Sequence, residues 1–116
     1  MEKEEFRKLI IEAAEELPVK FQKKLENISI VIDDENIKKS KKDGKKIILG
    51  LYQGLPITKR AGKRNIYPDK ITIYQKAIES ICSSETQIRE RLRKVLLHEI
   101  GHFFGLDDGK LKGLGY

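Results

Sequence analysis

Cysteine is almost absent from this chain, with Cys82 as its sole representative. A lone thiol builds neither a disulfide framework nor a cysteine-rich zinc site, and Cys82 reads as a half-buried helix residue. Long apolar runs are missing too: no stretch approaches the roughly 18 residues that a membrane span requires. The opening MEKEEFRKLIIEAAEEL has the pattern of an acidic amphipathic helix rather than of a secretory signal. A soluble, cytoplasmic protein with no membrane partner is therefore expected. At 116 residues the chain has room for one domain, residues 1–116, with a modest core and no separate substrate-binding lobe. Asn, Gln, Cys and Met are scarce while Lys, Glu and Ile abound, a composition that resembles that of hyperthermophile proteins. That points to a thermophile habitat and says nothing of function; the oligomeric state is not legible either.

Aromatic residues make up only 7% of the chain, and their scarcity bears on its charge. The formal net charge is +6, concentrated between Lys38 and Arg64, where ten basic side chains stand against one acid, Asp43. Such a stretch attracts phosphate backbones. Apart from Tyr52 it has no interleaved aromatics on which bases would stack, and lysine runs in loops are usually solvated surface. No specific nucleic-acid partner is expected.

The first element is helical, because Phe6, Leu9, Ile10, Ala13, Ala14 and Leu17 recur on one face and Pro18 ends the run. A short helical turn is expected over 20–25. Ile28, Ile30 and Ile32 alternate with Ser29, Val31 and Asp33, the period of a strand. The segment 38–45, with Asp43-Gly44 inside it, reads as a loop, and 46–52 as a second strand broken by Gln53-Gly54-Leu55-Pro56. Residues 58–68 read as an exposed loop of the kind that lines sites. A third strand is expected over 69–74 and a helical stretch over 76–82. The last helix is the best marked: Ser84 and Gln87 form a capping box, Ile88, Leu92, Val95, Leu96 and Phe103 trace an apolar face, and Gly105 closes it. Gly101 lowers helix propensity by about 1 kcal/mol relative to Ala, which suggests close approach of a strand there.

Histidine is nearly as scarce as cysteine, yet both histidines fall in one pentapeptide, His98-Glu99-Ile100-Gly101-His102. Two histidines placed at random fall four apart in about 1.7% of arrangements, and a Glu directly after the first brings this to about 0.2%. The pattern is therefore a signal and not a coincidence. On a helix, i and i+4 share a face, so His98 and His102 can point ring nitrogens at one ion while Glu99 approaches a water beside it. Zinc takes such ligands and, when catalytic, keeps one position open. A third ligand is expected beyond Gly105, where the chain can turn left-handed, and Asp108 is placed to fold back.

The pattern H-E-x-x-H-x-x-G-x-x-D resembles the minimal zincin family of small bacterial zinc metallopeptidases, as do the stretch LGLYQGLPITKR at 49–60 and the strand PDKITIY at 68–74. The resemblance spans roughly residues 1–110. It implies an α+β fold with a small mixed β-sheet packed against helices and a C-terminal active-site helix, one zinc per chain, His98, His102 and Asp108 as metal ligands, and Glu99 as the catalytic carboxylate. The activity implied is hydrolysis of a peptide or protein substrate by a zinc-held water that Glu99 activates. With no Met after Met1, the Met-turn of the metzincins is excluded. Tyr52, Tyr74 and Arg60 are candidate oxyanion donors. Two alternatives stand beside this reading: a zinc-stabilised binding module without turnover, and a zinc-dependent ribonuclease. The ribonucleases with similar histidine spacing carry a third His where Asp108 stands and lack the Glu.

Overall fold

Two chain segments that alternate in hydrophobicity, 29–33 and 70–74, pair in parallel, and a third strand joins the second from its other side. The computed structural model describes residues 1–40, 44, 46–54, 69–106 and 109–110. Its elements are α1 (Lys3–Glu15), α2 (Val19–Leu25), β1 (Ser29–Asp33), β2 (Gly50–Gln53), β3 (Lys70–Tyr74), α3 (Gln75–Ser80) and α4 (Glu85–Phe103). The sheet order is β1-β3-β2, with β1 parallel and β2 antiparallel to β3, so the fold is α+β with a small mixed sheet.

The central strand β3 is buried from Ile71 to Tyr74, whereas β1 and β2 alternate between covered and exposed positions. The register explains which face is which. Ile30 and Ile32 lie opposite Ile71 and Ile73 on β3, and Tyr52 and Gly50 lie opposite the same two isoleucines from the other side. These six positions share one face, because paired residues project the same way. That face meets the helices: Ile71, Ile73 and Ile32 belong to one apolar cluster with Phe6, Leu9 and Ile10 of α1 and Leu92, Leu96 and Ile100 of α4.

The second strand is shorter than the sequence suggests. Its residue pattern runs from Lys46, but β2 begins at Gly50. The reason lies in the partner: β3 turns directly into α3 at Gln75, and the bond from the Tyr74 N–H to the Leu49 carbonyl is the last that β3 can offer. Ile47 instead bridges back to Lys39, closing a turn around Gly44, whose φ of 67° suits a residue without Cβ. Gln53, expected to interrupt the strand, remains within it.

The start and stop of α4 follow from local chemistry. The Ser84 hydroxyl accepts the Gln87 N–H at 3.2 Å, satisfying one orphan donor of the first turn, while the Gln87 side chain reaches back to the Ser83 N–H, one residue before the cap, at 2.6 Å. At the other end Gly105, at φ 81°, gives its N–H to the His102 carbonyl, and Leu106 gives its own to Gly101. That pair of bonds is a Schellman stop, which needs a left-handed residue where Gly105 stands. Among the described residues no helix is long and apolar enough to cross a membrane.

Candidate metal centre

Residues 98–102 occupy the last turns of α4, where one side of the helix faces β2. His98 and His102 are half-buried, with ring centroids 4.9 Å apart, and Glu99 is 8% exposed. A ring nitrogen from each histidine and a carboxylate oxygen of Glu99 lie within 4.8 Å of one another. Ligands of a tetrahedral zinc, at about 2.0–2.2 Å from the ion, stand about 3.4 Å apart, so small side-chain rotations bring this set into reach of one ion. Two neutral imidazoles with carboxylate nearby are the donor chemistry zinc takes, and the residues present fit it. Asp108, Arg60 and the expected loop over 58–68 lie outside the described residues, as do Lys41, Lys42 and Lys45 of the basic stretch.

Glu99 is held from the strand. The Tyr52 N–H donates to its Oε1 at 2.8 Å, a charge-assisted bond spanning 47 residues of sequence. Alternation along the ladder makes this possible. Because the Leu49 carbonyl serves β3, the peptide groups of Gly50 and Tyr52 point the other way, off the open side of β2.

Two glycines let the strand come this close. A Cβ at Gly50 would sit 2.7 Å from Cγ1 of Val95 and 3.5 Å from Cγ of Glu99, so α4 lies directly on the strand there. A close approach of strand and helix is thus made at Gly50, and Gly101 is itself buried within α4. At Gly54 a Cβ would collide with a carboxylate oxygen of Asp69 and with the Tyr52 hydroxyl. That hydroxyl donates to the 7%-exposed Asp69 carboxylate at 2.9 Å, and the Tyr52 ring stands edge-on to Phe103 at 6.2 Å. The spacing of glycines around Tyr52 in the sequence is therefore a packing requirement. It clamps β2 to α4 on one side and to the start of β3 on the other.

Of the candidate oxyanion donors, Tyr52 has committed its phenolic proton to Asp69. Tyr74 is buried, on the sheet face opposite to that of Gly50, and burial pushes its phenol above the usual range. Neither phenol is therefore placed to serve the histidines. What residue-by-residue reading missed is the Tyr52 backbone N–H and a pair of cations, Arg91 and Lys94. These line a cleft of about 360 Å³ together with Ile48, Leu49, Gly50, Val95, His98 and Glu99. Their signal is helical spacing: 91, 94, 98 and 102 fall on one stripe of α4.

Comparison with known proteins agrees with this architecture. Residues 25–116 match the sequence model of the zincin-like metallopeptidases. No curated protein matches the chain. Among solved structures it is similar to a conserved hypothetical protein from Thermus thermophilus, with a TM-score of 0.61 and 18% identity over 98% of this chain and 97% of that one. At that identity the likeness concerns the fold alone. The family match, by contrast, spans most of the sequence and contains the whole of α4 with both histidines and Glu99, and on that ground the chain belongs to the zincin-like metallopeptidase family.

Proposed function

We propose that this chain is a zinc-dependent peptidase acting in the cytoplasm on a peptide or protein substrate. The observation that carries the proposal is the convergence of His98, Glu99 and His102 beside an open cleft, with Glu99 fixed by the Tyr52 N–H. In this reading His98 and His102 hold one zinc ion, and Asp108 completes the ligand set. Zinc, when bound, supplies a Lewis acid that polarises a carbonyl and acidifies water.

The chain's own residues do the rest. Glu99 accepts the proton of the attacking water and hands it to the departing amine, the two halves of general acid–base work. The Tyr52 N–H supports that role over ligation, because it occupies one oxygen of Glu99 and fixes the plane of the carboxylate. A base held in place loses no time or entropy in finding its proton. Gly50 supports it indirectly by letting the strand reach the helix.

Metal analysis of untagged protein, paired with cleavage of a peptide library with and without a chelator, tests the proposal. One zinc per chain, lost in His98→Ala/His102→Ala, and cleavage abolished by chelation are expected. Equal zinc in wild type and the double variant removes the metal site from consideration. Stoichiometric zinc with no cleavage of any peptide gives the lead to a binding module without turnover.

A further inference from the structure

The wall of the cleft made by α4 carries two cations upstream of the histidines. Lys94 lies one helical turn before His98 and Arg91 lies two, about 6 and 10 Å along the helix axis at 1.5 Å per residue. Both side chains are exposed and line the cleft, and neither forms an ion pair among the described residues. This distinguishes them from Arg89 on the same helix, which is engaged by Glu12 of α1 and by Glu16, the residue that follows it. Glu99 shares the cleft, with its Oε1 held by Tyr52, and Glu90 lies with both cations on a smaller neighbouring hollow without an ion pair to either. The opposite wall is Ile48, Leu49 and Gly50, where the peptide groups of Gly50 face away from β3. A strand edge with outward N–H and carbonyl groups is suited to an extended peptide.

We propose that Arg91 and Lys94 form a carboxylate-binding subsite for the substrate, so that the cleft selects peptides with an acidic group about two or three residues from the bond to be cut. The inference rests on the peptidase reading for the word substrate, but the binding it asserts does not. An extended chain advances about 3.3 Å per residue, which sets the offset between the subsite and the histidines. A guanidinium presents a fork that matches a carboxylate, and an ammonium four carbons long reaches the same oxygen from the next turn. The carboxylate has two sources, an internal Glu or Asp side chain or the free C-terminus of the peptide. The first fits an enzyme that cuts within chains and the second one that trims them.

Binding to zinc-loaded Glu99→Gln protein separates these outcomes from turnover. Three fluorescent peptides of one sequence serve as probes: one with an internal Glu and an amidated C-terminus, one with Gln there and an amidated C-terminus, and the Gln peptide with a free C-terminus. Anisotropy should show the Glu peptide or the free-carboxylate peptide binding at least ten-fold more tightly than the neutral one, and which of the two gains identifies the source. Arg91→Gln/Lys94→Gln should erase that gain and leave the neutral peptide's affinity as it was. Arg91→Glu/Lys94→Glu, which reverses the charge of the whole subsite, should turn the preference toward a fourth peptide with Lys in place of the Glu. Equal affinity for acidic and neutral peptides, no binding of any of them, or a preference that survives the double substitution overturns the subsite. Carboxylate selectivity in a protein whose wild type cleaves nothing defeats the peptidase reading and leaves the subsite standing; cleavage indifferent to acidic residues does the reverse.

Discussion

Helix α4 meets two neighbours by different means. Along α1 the contact is dry and interlocked: Leu92, Leu96 and Ile100, none of them exposed, share one cluster with Phe6, Leu9, Ile10 and Ala13. Among the described residues charge appears at the rim, where Arg89 reaches Glu12 and Glu16. Along β2 the contact is thinner and partly polar, with Val95 on Gly50 and Phe103 against the Tyr52 ring as its apolar part. A glycine replaces a side chain, one backbone N–H meets one carboxylate, and both Gly50 and Glu99 line an open cleft. The first seam holds the helix in the molecule, and the second sets where Glu99 stands. A site needs both, because ligands must ride on a rigid element while one side stays accessible to substrate. Disturbing the first seam should therefore change stability with little effect per folded molecule, and disturbing the second should lower activity by more than any loss of stability explains.

The largest effect is expected in the first seam. Leu96→Ala removes a fully buried side chain from the middle of the cluster, and such truncations cost about 2–5 kcal/mol depending on how far the surroundings collapse. Urea titration measures the loss. Zinc bound per folded molecule should not change. A Leu96→Ala protein that keeps its stability and loses its metal would break the division between the seams.

Glu99→Gln is the opposite test. The amide preserves the shape and can still accept the Tyr52 N–H, so fold and zinc content should stay close to wild type. Peptide cleavage should drop by about 100-fold or more, the range for removing a general base and equivalent to about 2.7 kcal/mol in the barrier. Loss of zinc in this variant would show that Glu99 is a ligand and that its tie to β2 serves some other end.

Gly50→Ala comes next and loads the second seam directly. The new methyl would fall 2.7 Å from Cγ1 of Val95 and 3.4 Å from the Thr72 carbonyl oxygen. Val95 cannot swing aside cheaply, because a β-branched side chain in a helix has one favoured rotamer. The strand must lift, at about 1–3 kcal/mol, and the Tyr52–Glu99 bond lengthens with it. Cleavage should fall by more than the stability change explains. Val95→Ala, which makes room for the methyl, should restore part of both, and the two substitutions should show favourable coupling in a double-mutant cycle.

These two seams are unequally legible in the sequence, for a physical reason. Everything local to α4 can be read directly: the cap at Ser84, the apolar stripe, the stop at Gly105 and the shared face of His98 and His102 each depend on residues within a turn or two. The seam with β2 cannot. Gly50 reads only as a weak strand residue until Val95, 45 positions later, is placed beside it, and the partner of Glu99 is a backbone N–H that no residue type encodes. The expected start of β2 at Lys46 fails similarly, because the strand ends where β3 stops supplying partners. Tyr52 stands out as an aromatic near the site, but its hydroxyl serves Asp69.

The smallest effect belongs to the rim of the first seam. Arg89 places Nη1 3.3 Å from Glu12 Oε2 and Nε 3.8 Å from Glu16 Oε1, with the arginine 36% and both glutamates 51% exposed. Water competes for all three groups, and exposed pairs of this kind contribute about 0.2–1 kcal/mol. Arg89→Gln should thus lower stability by no more than that, and by less as salt rises toward about 1 M, where screening acts over about 3 Å. Guanidinium chloride would mask the difference by its own ionic strength, so urea is the denaturant to use. Because Arg89 lies outside the cleft, the variant should cleave and bind as wild type does. A larger loss, insensitive to salt, would mean that the arginine's aliphatic stem packs into the α1–α4 core, and the seam would then extend further toward solvent than its buried residues indicate.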